Sequence, residues 1–220
     1  MNLKNILLVR NTGNILPKAS IIENMFGMKL SSGGGPQPTY YWDFTGSSPL
    51  VDKIQGSTAT GTNVTFDSDG MHITSENGCF KTPFTIKKNA RYVVELGSTN
   101  ASGINHHGDI AGFGESGGST IYGVTWLKVS NYWAIYTNIW ENMGVGTNTS
   151  YFSDSIIEIV ADNSGTYFSH ISVFKNGELI KKTTGTINLN YKYFFIGSNG
   201  YSFKDMIVKS LKIYEPEVIE

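Results

Sequence analysis

The sequence predicts an all-β protein, a two-sheet antiparallel jelly-roll sandwich carrying a short N-terminal arm. Three observations predict it. After residue 40 apolar residues recur with period two in short runs, the spacing of half-buried strands. Asp-Gly and Asn-Gly turn signals separate these runs, and no helical periodicity competes with them. The composition suits pleated sheets joined by tight turns, with 12 Tyr, 12 Phe, 4 Trp and 25 Gly in 220 residues. That length supplies one sandwich plus an extension and requires no second domain.

Residues 1–30 form the arm. Ile6-Leu7-Leu8-Val9 reads as a short strand, and after Pro17 the residues Ile21, Ile22, Met25, Phe26 and Met28 crowd one side at helical spacing. Residues 31–38, Ser-Ser-Gly-Gly-Gly-Pro-Gln-Pro, are a linker that is flexible at its glycines and stiffened by two prolines. The sandwich occupies residues 39–216. It opens on Tyr41-Trp42-Asp43-Phe44. Val64 to Phe66 leads through Asp67-Ser68-Asp69-Gly70 into Met71 to Thr74, a hairpin. Arg91 to Leu96 alternates, Ile121 to Val129 and Trp133 to Ile139 flank Ser130-Asn131-Tyr132, and Ser155 to Val160 alternates again. His170 to Lys175 turns through Asn176-Gly177 into Glu178-Leu179-Ile180, and Tyr193 to Ile196 and Met206 to Tyr214 close the series.

Several of these segments carry a family resemblance. Tyr41-Trp42-Asp43-Phe44 with Gly46 and Asp52 resembles the first strand of concanavalin A-like and laminin-G-like domains. His170 to Ile180 with its Asn-Gly hairpin, then Phe195-Ile196-Gly197-Ser198, then Leu211-Lys212-Ile213-Tyr214, are similar to the closing half of that superfamily. The resemblance covers residues 40–215 and implies the jelly-roll fold. It does not choose among lectins, adhesion modules, glycan hydrolases and domains of phage and bacterial surface proteins.

Charge and cysteine content narrow the function classes. The formal net charge is −1, so no basic excess is present to neutralise phosphates and no nucleic-acid partner is expected. Lys87-Lys88 and Lys181-Lys182 read as solvated loop residues. Cys79 has no second cysteine to pair with inside the chain and reads as a buried thiol. Arg10 ends the apolar run at Ile6 far short of a signal-peptide core, and no stretch reaches the length of a membrane span, so neither a secretion signal nor membrane insertion is expected.

Glycan hydrolases of the resembled superfamily carry alternating acidic residues on one strand, and no such cluster occurs here. Glu158 and Glu95 stand alone on their strands, and Asp52, Asp67 and Asp69 read as turn residues. No enzymatic activity is therefore expected, and no catalytic residue is assigned. His106-His107-Gly108-Asp109 places imidazoles and a carboxylate together but reads as a polar glycine-rich loop. Asp109, Asp162 and Asn163 are conceivable calcium ligands without a loop motif. No metal and no cofactor is assigned.

The stretch from Tyr122 to Trp140 is the densest in aromatics. Rings stack on sugar faces and amides bond sugar hydroxyls, so Tyr132, Tyr136, Asn138, Trp140 and Asn142 form a candidate glycan site. Trp126 and Trp133 are expected in the core, whereas Tyr132, Tyr136 and Trp140 stand open between core and surface. Alternation puts Trp133 with Ile135 on one face and Tyr136 with Asn138 and Trp140 on the other.

These features, read with the resemblance, lead to an expected setting. The chain is expected to be a bacteriophage virion protein, a head decoration, fibre or tail adhesin, displaying a lectin-like domain. It would bind host surface polysaccharide, form homo-oligomers and attach to other virion proteins through Ile6, Leu7, Leu8, Val9, Ile21, Ile22, Met25 and Phe26. The arm can alternatively fold back as an edge strand. A stand-alone carbohydrate-binding module and a glycan hydrolase are the alternatives for the whole chain.

Overall fold

The computed structural model describes residues 36–86, 89–99, 106–162, 168–190 and 192–216. The chain divides into two units, Pro38–Glu215 and Met1–Gln37 with Pro216–Glu220. The arm residues Ile6, Leu7, Leu8, Val9, Ile21, Ile22, Met25 and Phe26 lie outside the described residues.

Among the described residues, Pro38–Glu215 holds seventeen strands and no helix. In chain order they are β1 Tyr40–Asp43, β2 Thr60–Thr62, β3 Thr65–Asp67, β4 Gly70–Ile73, β5 Cys79–Thr85 and β6 Arg91–Leu96. There follow β7 His107–Gly114, β8 Ile121–Leu127, β9 Tyr132–Tyr136, β10 Trp140–Asn142 and β11 Ile156–Ala161. The last six are β12 Phe168–Ser169, β13 Ile171–Lys175, β14 Glu178–Lys182, β15 Ile187–Asn188, β16 Tyr193–Gly197 and β17 Met206–Tyr214.

Two antiparallel sheets form the sandwich. An eight-stranded sheet runs β14-β13-β11-β6-β17-β4-β3, with β1 also paired to β17, and a seven-stranded sheet runs β10-β9-β8-β7-β16-β5-β2. The all-β jelly-roll expectation is met. Strand alternation supplies the core. Tyr92 and Val94 of β6, Ile157 and Ile159 of β11 and Leu211 and Ile213 of β17 face Phe113, Val124, Trp133, Ile135 and Phe194 of the other sheet. Tyr92 stacks on Phe194 at 4.4 Å and meets Phe113 edge-on at 5.3 Å. Trp126 and Trp133 are both buried, 5.2 Å apart.

The turn chemistry behaves as the residues dictate. Asn176 (φ 51°) and Gly177 (φ 81°) adopt the paired positive angles of a type I′ hairpin between β13 and β14. Asp52 caps its own turn, accepting the Ile54 and Gln55 N–H groups, and also the Tyr41 N–H at 2.6 Å. Cys79 is buried, and burial pushes its thiol pKa up.

Three departures from the sequence reading matter. Residues 133–139 are not one strand: β9 ends at Tyr136 and β10 starts at Trp140, with Asn138 at φ 75° between them. The stretch His106-His107-Gly108-Asp109, read as a polar loop, enters β7, the centre strand of the seven-stranded sheet. Its period-two signal is broken by a bulge between Asp109 and Ala111 that turns Ile110 into the core. β5 also went unread, because Pro83 cannot donate to a ladder. It sits at the irregularity opposite Phe194, where the Thr82 hydroxyl takes the Phe194 N–H instead.

Gly112 of β7 and Gly123 of β8 face each other across the ladder, and a Cβ on Gly123 would lie 2.2 Å from the Ala111 carbonyl oxygen. Gly177, in contrast, has nothing within 4 Å of its Cβ position and only its φ to object. Gly123→Ala should therefore cost about 3 kcal/mol through backbone displacement, and Gly177→Ala about 1 kcal/mol through its left-handed conformation. Urea denaturation of both variants checks this; equal costs would contradict the close approach of β7 and β8.

Candidate functional site

The β9–β10 hairpin builds the centre of the site. Thr137 donates its N–H to the Ile139 carbonyl at 3.0 Å, and Asn138 takes the positive φ that the tight turn needs. Tyr136 and Trp140 are thereby direct cross-strand partners on the outer face, their rings 4.4 Å apart. The next pair, Ile135 and Glu141, points inward.

Further rings extend this pair in both directions. Tyr122 stacks on Tyr136 at 5.5 Å and 6°. On the other side His107 of β7 meets Trp140 edge-on at 5.2 Å and stacks on Tyr201 at 4.3 Å and 17°. Five rings thus form an unbroken line. Beside it lies a cavity of about 150 Å³ lined by His107, Ser119, Thr120, Ile121, Tyr136, Trp140 and Tyr201. Trp140 and Tyr201 keep 38% and 41% of their surface exposed, so both rings stay accessible to solvent beside the cavity.

The backbone fixes these rings from behind. Asp109 N–H donates to the Tyr201 carbonyl at 2.7 Å, and Phe203 N–H donates to the Asp109 carbonyl at 2.9 Å, a single parallel bridge. Phe203 plugs the core by stacking on Trp133. The Ser202 hydroxyl accepts the Ser198 N–H at 2.6 Å and lies between two carbonyl acceptors, Ser198 of its own turn and the distant Gly78, which share its one proton. Asn199 N–H reaches the Gly118 carbonyl at 2.8 Å, which ties the loop carrying Ser119 and Thr120 to the turn carrying Tyr201.

Glu141 holds the hairpin from inside. Its carboxylate accepts the backbone N–H groups of Thr184 and Gly185 and the Thr184 hydroxyl at 2.9–3.1 Å. Burial alone would raise its pKa. These hydrogen bonds, helped by Lys181, win and hold it below the ordinary carboxylate value. Glu141 follows Trp140 directly, so this anchor also positions the indole.

Asp109 is the site's unusual ionisable group. It shares the outer face with His107, two residues away on the same strand, but lies beneath the Tyr201 turn and is 3% exposed. Burial pushes its pKa from 3.8 to about 7, with the Ser198 and Thr125 hydroxyls opposing the rise. That opposition is weak on geometric grounds. Thr125 donates its proton to the Gly108 carbonyl, and Ser198 Oγ is buried without a hydrogen-bond partner. The His107 pKa is held below its ordinary value, first by burial and then by His106.

Of the residues singled out from sequence, Tyr136 and Trp140 meet at the cavity. Tyr132, at the start of β9, does not line it. Asn138 is spent on the hairpin turn, and the Asn142 side chain accepts the Gly144 N–H at 2.7 Å in a local turn. His107, Ser119, Thr120, Ile121 and Tyr201 were not among the candidates. They converge from three chain segments, and only His107 stood in a motif that drew notice. For calcium, Asp109 is buried, Asp162 pairs with Lys182 and Asn163 lies outside the described residues. Among the described residues no three His, Cys, Asp or Glu side chains group as a metal site.

No protein-family model matches the chain, and no curated protein matches its sequence. Solved structures do match. The Trypanosoma rangeli sialidase superposes with TM-score 0.59 at 14% identity, over 91% of this chain and 36% of the sialidase. Crh5 transglycosylase in complex with NAG superposes with TM-score 0.52 at 13% identity, over 87% of this chain and 90% of Crh5. The chain spans about a third of the length of the sialidase. At these identities the likeness is one of fold, a sheet-rich sandwich shared with glycan-acting proteins. It overturns the expectation that the chain lacks enzymatic activity. A sialidase and a transglycosylase share the architecture, the latter over nearly its whole length, so a missing acidic strand motif is no ground for excluding catalysis.

The Asp109 pKa carries a pH signature. The folded state holds this proton more tightly than the unfolded chain, so the contribution is fully present below pH 4 and is lost as pH rises towards 7. Asp109→Asn mimics the neutral acid and should melt near the wild type at pH 4.5 but above it at pH 8, by on the order of 5 °C. Parallel melting temperatures across that range would refute a proton held at this position.

Proposed function

We propose that the chain recognises carbohydrate on the outer face of its seven-stranded sheet, at the cavity flanked by Tyr136, Trp140, His107 and Tyr201. The observation that carries this reading is the line of rings from Tyr136 through Trp140 and His107 to Tyr201, with two of them well exposed and the Ser119 and Thr120 hydroxyls alongside. Aromatic faces pack the C–H faces of sugar rings, and hydroxyls exchange hydrogen bonds with theirs. A cavity of about 150 Å³ is smaller than the roughly 300–1,000 Å³ of drug-sized sites, which suits one sugar ring with the remainder of the glycan in solvent. The sialidase and transglycosylase neighbours, one of them solved with NAG, support a carbohydrate role.

Trp140→Ala should weaken glycan binding at least tenfold, about 1.4 kcal/mol, with the far-ultraviolet spectrum unchanged. Titration calorimetry against a panel of oligosaccharides checks it. A variant that binds as the wild type does removes the ring line from the site.

Glycan cleavage or transfer is a second reading, favoured by Asp109. Burial raises its pKa to about 7, the range of a general acid at neutral pH, and it lies two residues from the cavity-lining His107 but under the Tyr201 turn, so it reaches a substrate only when that turn opens. Release of reducing ends from a bound polysaccharide, lost in Asp109→Asn while binding persists, would support it; release that persists in the variant would remove Asp109 from the chemistry.

Display of this site on a phage particle rests on the sequence features of the chain read with the family resemblance, and self-association and attachment through residues 1–30 rest on the apolar residues of the arm. Deleting residues 1–35 should leave a folded sandwich that no longer assembles. Gel filtration of the truncated and full chains tests this, and unchanged assembly would move attachment to the sandwich.

A further inference from the structure

We infer that the cavity selects an uncharged sugar residue and discriminates against acidic ones such as sialic and uronic acids. The inference rests on the carbohydrate reading above and deepens it.

The lining is the first argument. His107, Ser119, Thr120, Ile121, Tyr136, Trp140 and Tyr201 include no Lys, Arg, Asp or Glu. Burial, and then His106, hold the His107 pKa below its ordinary value, which favours the uncharged ring. A sugar carboxylate placed here would lose water and gain no opposite charge, which disfavours it against a neutral ring.

The neighbouring cations are the second argument. The Lys192 side chain is 8% exposed, lies over the Tyr122 ring at 4.9 Å and reaches Glu115 at 3.5 Å. Lys81 lies over Tyr193 and reaches the Ser116 carbonyl. Arginine is the usual bidentate partner of a carboxylate, and the chain has two, Arg10 and Arg91. Arg91 belongs to the opposite sheet, where it grips Glu158 through two hydrogen bonds at 2.8 and 2.6 Å. Arg10 lies in the arm, outside the described residues. Residues 100–105, which precede His106, read Asn-Ala-Ser-Gly-Ile-Asn and bring no charge.

What the cavity does offer is apolar faces and hydroxyls, which suit a neutral ring with one C–H face and several hydroxyl or acetamido groups. The preference therefore runs against the sialic acid that the sialidase likeness would suggest, because it follows from side chains rather than from fold.

The test uses the full chain and matched oligosaccharide pairs that differ in one terminal residue: with and without sialic acid, and glucose against glucuronic acid. Binding is read by titration calorimetry at pH 7.5. The neutral member should bind at least tenfold more tightly than its acidic partner. Thr120→Arg, which adds a guanidinium at the exposed rim, should narrow or reverse that ratio. Acidic members that bind as well as neutral ones, with binding lost in Trp140→Ala, would overturn the selectivity while keeping the site. Binding of neither member of any pair would overturn the carbohydrate reading and this inference with it.

Discussion

The meeting of Tyr92 with Phe194 and Phe113 joins the two sheets at their centres. Tyr92 comes from β6, flanked by β11 and β17, and Phe113 and Phe194 from the adjacent strands β7 and β16. Each buried aromatic contributes on the order of 2 kcal/mol by area, and ring pairs add about 1 kcal/mol. More consequential than the energy is the constraint. Once these side chains face inward, alternation fixes the facing of neighbouring residues along each strand, and with it the residues available to the outer surface.

That constraint explains how much could be read beforehand. Regular alternation made β6, β11 and β17 visible, and the core positions of Trp126 and Trp133 followed from it. Asn176-Gly177 announced its hairpin because few other residue pairs accept two positive φ angles. The strands that escaped notice break a local rule for a physical reason. β5 contains a proline set at a ladder irregularity, and β7 combines three glycines with a bulge. Half of the site was equally hidden. Tyr136 and Trp140 are close in sequence and were noticed together, whereas Tyr201 reaches them through a turn nearly a hundred residues from His107. Nothing in one dimension signals that meeting.

The bulge in β7 links fold to site. By inserting Ile110 into the core, it lets Asp109 remain on the outer side opposite Thr125 while Ala111 resumes the inward register. The displaced backbone groups of Asp109 are then taken by the turn that carries Tyr201. A local irregularity, costly to a regular ladder, is thus what brings a distant aromatic to the edge of the cavity and leaves a carboxyl sealed beneath it.

Glu141 has a mechanical consequence. β10 ends the seven-stranded sheet and β14 ends the eight-stranded one, and the Glu141 carboxylate spans from the first to the turn following the second. On the carbohydrate reading, a glycan fixed to a large surface would pull on Trp140, and a three-residue edge strand held by one neighbour would unzip bond by bond. With Glu141 clamped to residues 184 and 185, the tension divides between both layers of the sandwich. Displacing Trp140 then requires several charge-assisted hydrogen bonds to break together.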